Sequence, residues 1–517
     1  MQNSVSAVLL DTMSIQRYIF SSNNLIENIG ASQIVEDIYD THLEKVIEKV
    51  IGEIKNTSYT PNIYDAWKEN PEKKAIIEDQ IPFEVGYIGG GNALLFFKDE
   101  NKAKEFIKEW SMELLTCCPG LIPACSIGSI NFDNFSNDLG DLFKQLSENK
   151  SSFVPETIIK RHGITAQCAK TGYSAEVWLE GNYISYLSYA KINAAKNAKE
   201  ELENFLKESN LIDKYTFTSK LDELGQEKGE ENYIAIVHID GNDVGSRIRS
   251  LKEIKDLREF SKKLKEATEN AFKAMLLRFD DNINTIDLHL KKEKQSEKTI
   301  LPLRPIIIGG DDITFVSNGK LGIWLAKNFI EAFEEETKSL GHLTACAGIA
   351  ITKTKYPFYR GYRLSEELTR SAKDKRKELE DSGSWIDFHI TSGGFSGELT
   401  DIRDKHYKSP SGYSLTLRPY KIEDFEEMVK SCASFNNPKT FPHSKIMELR
   451  EILYSGKQAE QAFVEKIKAR GLELPVYKEF DGKEIFKNNQ TPYFDMIEIM
   501  DFYPDCFIRG NNENLHS

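Results

Sequence analysis

Two carboxylates stand side by side between two glycines and a β-branched run in Ile306-Ile307-Ile308-Gly309-Gly310-Asp311-Asp312-Ile313-Thr314-Phe315-Val316. A third acid, Asp240, ends the apolar run from Tyr233 and opens Gly241-Asn242-Asp243-Val244-Gly245. Apolar flanks predict buried strands that leave the acids at a rim, and the glycines are expected to permit a tight turn that a phosphate can approach closely. Acids so placed suit metal-dependent nucleotidyl transfer. A nucleoside triphosphate carries about four negative charges that repel an incoming hydroxyl. Magnesium, which prefers carboxylate, phosphate and water oxygens, offsets that charge. Two ions roughly 3.5 to 4 Å apart can activate a 3′-hydroxyl and stabilise the leaving pyrophosphate. The expectation is a two-metal site for Mg²⁺ or Mn²⁺, bridged by Asp240 and Asp311, with Asp312 and the Gly241 carbonyl as auxiliary ligands. Gly241, Asn242, Asp243, Val244 and Gly245 would offer backbone N–H groups to the triphosphate, with Gly309 and Gly310 beside them. Each motif alone also fits a bland reading, an acidic turn in water or a plain strand-to-helix connection.

The elements between these motifs are the ones needed to bring them together. Asp240 precedes Asp311 by 71 positions (311 − 240), room for helices and a return strand. Leu251, Ile254, Leu257, Phe260, Leu264, Ala267, Ala271 and Phe272 recur at three- and four-residue steps, the period of an amphipathic helix. Strand, helices and antiparallel hairpin then place Asp240 and Asp311 on neighbouring strands. Downstream, Leu343-Thr344-Ala345-Cys346-Ala347-Gly348-Ile349-Ala350-Ile351 predicts another strand, followed by Tyr356-Pro357-Phe358 and a helix through Leu364, Leu368 and Ala372 to Lys373.

The same order occurs earlier in the chain in a degraded form. Ala7-Val8-Leu9-Leu10-Asp11 echoes the strand ending at Asp240. Tyr87-Ile88-Gly89-Gly90-Gly91-Asn92-Ala93-Leu94-Leu95-Phe96-Phe97 echoes the acidic hairpin, with Gly91 and Asn92 where the acids should stand, and Cys125-Ser126-Ile127-Gly128-Ser129-Ile130 echoes the strand at Cys346. Asp11 to Gly91 spans 80 positions (91 − 11), close to the 71 of the second copy. Glycine offers no side-chain ligand and asparagine no charge, so the first copy is expected to be catalytically silent.

Taken together, the Asp240-Gly241 strand end, the Gly309-Gly310-Asp311-Asp312 hairpin, the Ala347-Gly348-Ile349-Ala350-Ile351 strand, Tyr356-Pro357-Phe358 and Ser371-Ala372-Lys373 resemble the active palm of the large subunit of type III CRISPR effector complexes, a relative of diguanylate cyclases. Ile15-Gln16-Arg17-Tyr18-Ile19-Phe20, followed by Gly30-Ala31-Ser32, resembles the same family's first palm. The resemblance implies an α+β fold of two ferredoxin-like palms: a degenerate palm at 1–150, an inter-palm region at 151–228, a catalytic palm at 229–392 and a helical domain at 393–517. It also implies that Asp240, Asp311 and Asp312 are metal-binding acids and that Lys373 contacts the triphosphate. Gly89 and Gly90 would serve an acceptor nucleotide. The expected reaction turns ATP into cyclic oligoadenylate or a related cyclic messenger. CRISPR RNA, target RNA and sister subunits are the implied partners, with stand-alone action as the other possibility. Two departures from the family stand out. Its inter-palm cysteine pairs are reduced here to Cys168, downstream of Arg161-His162-Gly163, so no zinc is expected. No His-Asp dipeptide occurs, so the nuclease activity of many relatives is not expected.

Composition agrees with a large globular protein. The 517 residues, 40% of them hydrophobic, should form several domains, and a net charge of −14 disfavours broad nucleic-acid affinity. Seven cysteines show no disulfide framework. No apolar stretch reaches the roughly 20 residues of a membrane span and no secretory signal opens the chain, so a cytoplasmic protein without membrane partners is expected. Between the palms, 193–202 predicts a surface helix; within the second palm 280–300 predicts an exposed loop, and after it 392–397 a linker ahead of helices near Phe425 and Ile446. A ribonucleoprotein scaffold and a GTP-using dinucleotide cyclase are the competing functions.

Overall fold

The computed structural model describes residues 4–52, 64–152, 163–224, 232–293, 296–391, 397–435 and 441–508. Two sheets dominate. In the first, the strands lie in the order Phe83–Gly89, Asn92–Phe97, Ser4–Met13, Ile122–Asn131. The second repeats that order with Leu303–Ile308, Asp312–Asn318, Tyr233–Gly241 and Ala345–Lys353, then adds Trp385–Ile390, parallel to its neighbour, and the short edge Tyr420–Lys421. In both copies each of the first four strands pairs antiparallel with its neighbours. This is the duplicated α+β architecture expected of two palms.

The central strand shows how the sequence dictates two buried faces. Ile234 and Ile236 point into an apolar core shared with the first sheet, and Ala235, Val237 and Ile239 into the core beneath the second. A strand buried on both sides reads as a continuous apolar run rather than an alternating one, which accounts for the unbroken 233–239 segment. By the same parity Asp240, and Asp312 directly opposite it, lie on the face turned toward the first palm.

Helices complete the layers. Ile254–Asn282 buries Leu257, Phe260, Leu264, Ala267, Ala271 and Phe272, and Leu251 falls just before it as a partly buried residue. Phe358–Glu378 crosses the second sheet at Gly348, where a Cβ would stand 2.1 Å from the Ser365 carbonyl oxygen, so only glycine permits this approach. The C-terminal helices, among them Ile422–Ser431 and His443–Ile452, share the second palm's apolar core.

Three expectations need correction or placement. The helix read over 193–202 is two helices, Tyr186–Ala194 and Ala198–Glu208. The first is no free surface helix, because a Cβ on Gly30 would lie 1.6 Å from the Lys191 carbonyl oxygen where Leu25–Asp37 crosses it. Ladder register sets Ala124, not Cys125, opposite Asp11, whereas Cys346 stands opposite Asp240. That one-residue offset puts the two cysteines on different faces. Arg161, His162, Lys294, Gln295 and 392–396 lie outside the described residues. Among those described, no helix is long and apolar enough to cross a membrane.

Candidate active site between two hairpins

The acids meet where the Tyr233–Gly241 strand ends beside the second hairpin. Asp240 pairs in register with Asp312, and the Gly241 N–H donates to the Asp311 carbonyl at 2.9 Å. An added Cβ on Gly241 would stand 3.0 Å from Asp311 Cβ, so glycine lets the strand end close against the turn. Gly309 works by space rather than by backbone freedom: its φ is not positive, and a Cβ there would fall 2.0 Å from Asp312 Oδ1. The turn is tied by the Gly309 N–H to the Asp312 carbonyl at 2.8 Å, and Thr268 Oγ1 donates to the Gly310 carbonyl at 2.7 Å.

Electrostatics mark the acids as a group short of positive charge. Burial first, and then Asp240, push the Asp311 carboxyl up to about 6; burial first, then Asp311 and Asp240, push Asp312 up to about 7. Lys373 is the nearby cation that opposes both shifts. Its Nζ is ion-paired with Asp240 and donates to the Gly241 carbonyl at 3.0 Å, so it is not the solvated helix lysine its position would suggest. His238 lies one pleat below on the same face, bonded through Nδ1 to Thr314 Oγ1 at 3.0 Å. Burial holds its pKa down near 4, so it is neutral at pH 7 and supplies no charge.

In the 241–245 turn the N–H groups of Gly241 and Asn242 are not offered to a triphosphate as expected, because they already bond the Asp311 and Thr344 carbonyls at 2.9 and 2.8 Å. Asn242 is buried and gives its side-chain amide to Thr344 Oγ1 at 3.0 Å, and Val244 sinks into the core. Asp243, with φ +60°, precedes the helix Val244–Ser250 and meets Arg376 at 2.6 Å. Gly245 lies in that helix. The carboxylate oxygens of Asp240, Asp311 and Asp312 do not close into a single cluster: among the described residues only His42, Glu113 and Cys117 bring three ligand atoms within 4.8 Å of one another, and there Lys45 already holds Glu113 at 2.8 Å.

The first palm carries the same frame with different contents. Asp11 pairs in register with Asn92, as Asp240 does with Asp312, so Gly91 takes the place of Asp311. Both hairpins carry an irregularity at the matching point, Gly86 in one and Ile306 in the other. Gly90 and Gly91 have φ of +59° and +75°, whereas Gly310 and Asp311, the matching turn residues of the second hairpin, have no positive φ. One feature escaped the sequence reading. Lys150, on the helix after the fourth strand as Lys373 is, forms an ion pair with Asp11. The two turns face each other, and a Cβ on Gly310 would stand 3.8 Å from the Gly90 nitrogen. Phe20 and Tyr362 stack across the same junction with ring centroids 3.6 Å apart.

Comparison with known proteins agrees with this geometry. Residues 233–379 match the Cas10/Cmr2 second palm domain family. No curated protein sequence matches the chain. Among solved structures, Csm1 in T. onnurineus aligns at 13% identity and TM-score 0.56, over 98% of this chain and 70% of that one. A Csm1–Csm4 cassette in complex with cA4 aligns at 14% and 0.52, over 96% and 70%. The same cassette with one ATP aligns at 12% and 0.57, over 97% and 69%. Residues 233–379 therefore carry a Cas10/Cmr2 second palm domain, and the chain as a whole shares the fold of Csm1.

Proposed function

We propose that this chain is a nucleotidyltransferase that condenses ATP into a cyclic oligoadenylate or a related cyclic messenger, with chemistry in the second palm and the acceptor nucleotide held by the first. The observation that carries the proposal is the register match: equivalent strand positions present Asp240 and Asp312 in one palm and Asp11 and Asn92 in the other, across facing turns. Similar Csm1–Csm4 structures are described in complex with AMPPNP, pppApA, cA3 and cA4, which supports nucleotide substrates and cyclic products.

The donor set suits hard divalent cations in kind, since Asp240 and Asp312 pair in register, Asp311 stands against Gly241 and two of the acids are destabilised as anions; an ion would draw together carboxylates that stand apart without it. Asp240, Asp311, Asp312 and Gly241 would hold Mg²⁺ or Mn²⁺. Bound there, the ions would activate the attacking hydroxyl and neutralise the leaving pyrophosphate. The protein's own part is orientation. Lys373 fixes Asp240 and the Gly241 carbonyl, Thr268 fixes the turn at Gly310, and Arg376 fixes Asp243 at the start of its helix. Gly309 makes room for the Asp312 carboxylate, and Gly310, Gly89 and Gly90, lacking side chains, would let a phosphate approach the backbone of the facing turns. Sister subunits of a CRISPR effector, with guide and target RNA, are the proposed setting.

Purified protein given labelled ATP and Mg²⁺ should release pyrophosphate, and Asp311→Ala with Asp312→Ala should lower that release by at least about a hundredfold. Equal release by the double variant would sink the assignment.

A further inference from the structure

Arg258 lies in the second palm's long helix, Ile254–Asn282, yet all its hydrogen bonds go to the first palm. Only 1% of the side chain is exposed. Nε donates to the Gly86 carbonyl at 2.8 Å; Nη1 to the carbonyls of Lys73 at 2.6 Å and Pro71 at 3.3 Å; Nη2 to Glu84 Oε1 at 2.8 Å and to the Val85 carbonyl at 3.1 Å. A guanidinium has five N–H donors, and here each has an acceptor. The Glu84 carboxylate is satisfied on its other side by the Ile76 N–H at 2.8 Å.

The acceptors exist because of the irregularity in the first hairpin. The ladder slips between Val85 and Tyr87, which turns the Val85 and Gly86 carbonyls toward the helix. A Cβ on Gly86 would stand 2.9 Å from the Leu94 carbonyl oxygen, so the slip depends on glycine. The same helix face then reaches both turns. Ser261, one turn on from Arg258, has its Cβ 3.9 Å from where a Cβ on Gly89 would be, and Thr268 holds Gly310. The helix spans the two hairpins, and Arg258 fixes the first of them against it.

We infer that Arg258 is a positioning residue, which sets the spacing between the two hairpin turns and acts through it on the joining of two nucleotides. This rests on the function proposed above. A buried ion pair is weak evidence for net stability, because desolvation offsets the attraction. A planar fork spent on four backbone carbonyls and one carboxylate specifies geometry instead.

The test separates position from activity. In a Gly89→Cys/Ser261→Cys background the two Cβ atoms stand at a spacing that allows a disulfide, and its rate of formation under mild oxidation reports the spacing without any turnover. Arg258→Ala and Arg258→Lys should each slow cross-linking by about tenfold, since one ammonium cannot replace the fork. In the otherwise native chain both should lower kcat by about ten- to a hundredfold, the cost of a misplaced reacting pair, with the nucleotide KM changed less than about threefold. Glu84→Gln, which keeps shape and the four carbonyl bonds, should have a smaller effect of the same kind and carries the test if Arg258→Ala does not fold. Unchanged cross-linking in these variants, or unchanged kcat where cross-linking is slowed, would overturn the inference. Should the wild type release no pyrophosphate, the proposed function falls, and cross-linking alone then decides whether Arg258 sets the spacing.

Discussion

The two hairpins of this chain share strand order, register and the site of a ladder irregularity, and they differ at the two turn positions proposed to hold metal. The first turn has Gly91 and Asn92 where the second has Asp311 and Asp312, and each palm pairs its remaining strand-end acid with a lysine from the helix after its fourth strand. Folding needs only the shared part. Charge at the second turn opposes folding, since burial first, and Asp240 besides, raise both acids, with Asp311 adding to the rise of Asp312. The first palm is thus the second palm relieved of that cost, and retention of Asp11 with Lys150 shows which part of the frame both copies keep.

The largest effect that separates the palms should come from the two lysines. Lys373→Ala removes the cation beside Asp311 and Asp312 and should lower turnover on the order of a hundredfold. It should also move the pH profile upward, because both acids lose a group that holds them down. Lys150→Ala, the matching change in the first palm, should leave turnover within about threefold, by pyrophosphate release. A comparable loss from both would break the distinction.

Restoring the acids should not restore chemistry. Gly91→Asp with Asn92→Asp asks residue 91 to keep φ +75° and to place a Cβ 2.4 Å from Ile15 Cδ1, which should cost about 1–3 kcal/mol in a denaturant melt. Added to Asp311→Ala/Asp312→Ala, the graft should release no more pyrophosphate than that background.

A subtler contrast lies in pH. A carboxyl whose folded-state pKa is raised stabilises the fold below its unfolded value near 4 and loses that contribution as pH rises through about 6 for Asp311 and about 7 for Asp312. Metal-free protein should therefore lose stability over pH 4–7, and Mg²⁺ should raise Tm more at pH 7.5 than at pH 5.5. Asp311→Asn/Asp312→Asn should melt about 2–4 °C higher than wild type without metal at pH 7.5, and no longer respond to Mg²⁺. A calorimetric series in pH and metal checks both.

Much of this arrangement was legible in the chain. Acids interrupting β-branched runs announce strand ends, and a repeated Gly-Gly hairpin reveals a duplication because apolar patterning survives the loss of ligands. What stayed hidden depends on contacts that only the assembled fold creates. Lys150 is one lysine among the polar residues of 135–152, and nothing local says that its side chain returns to Asp11. Arg258 interrupts an apolar helix face, a signal of a buried cation, but its acceptors arise from a strand irregularity far away in sequence. The Cys125 echo misled by one residue, because similar composition does not fix ladder register. Gly309 shows the same ambiguity, since room for a carboxylate, which it gives, and freedom of φ, which it does not use, are both written as glycine.

The most direct measurement applies one substitution at the two register-equivalent acids, Asp240→Asn and Asp11→Asn, with pyrophosphate release measured and products from mixed ATP and GTP identified by mass spectrometry. The account predicts that Asp240→Asn abolishes a cyclic adenylate product that Asp11→Asn still makes. Loss of product in both variants, or survival of product in Asp240→Asn, would contradict it.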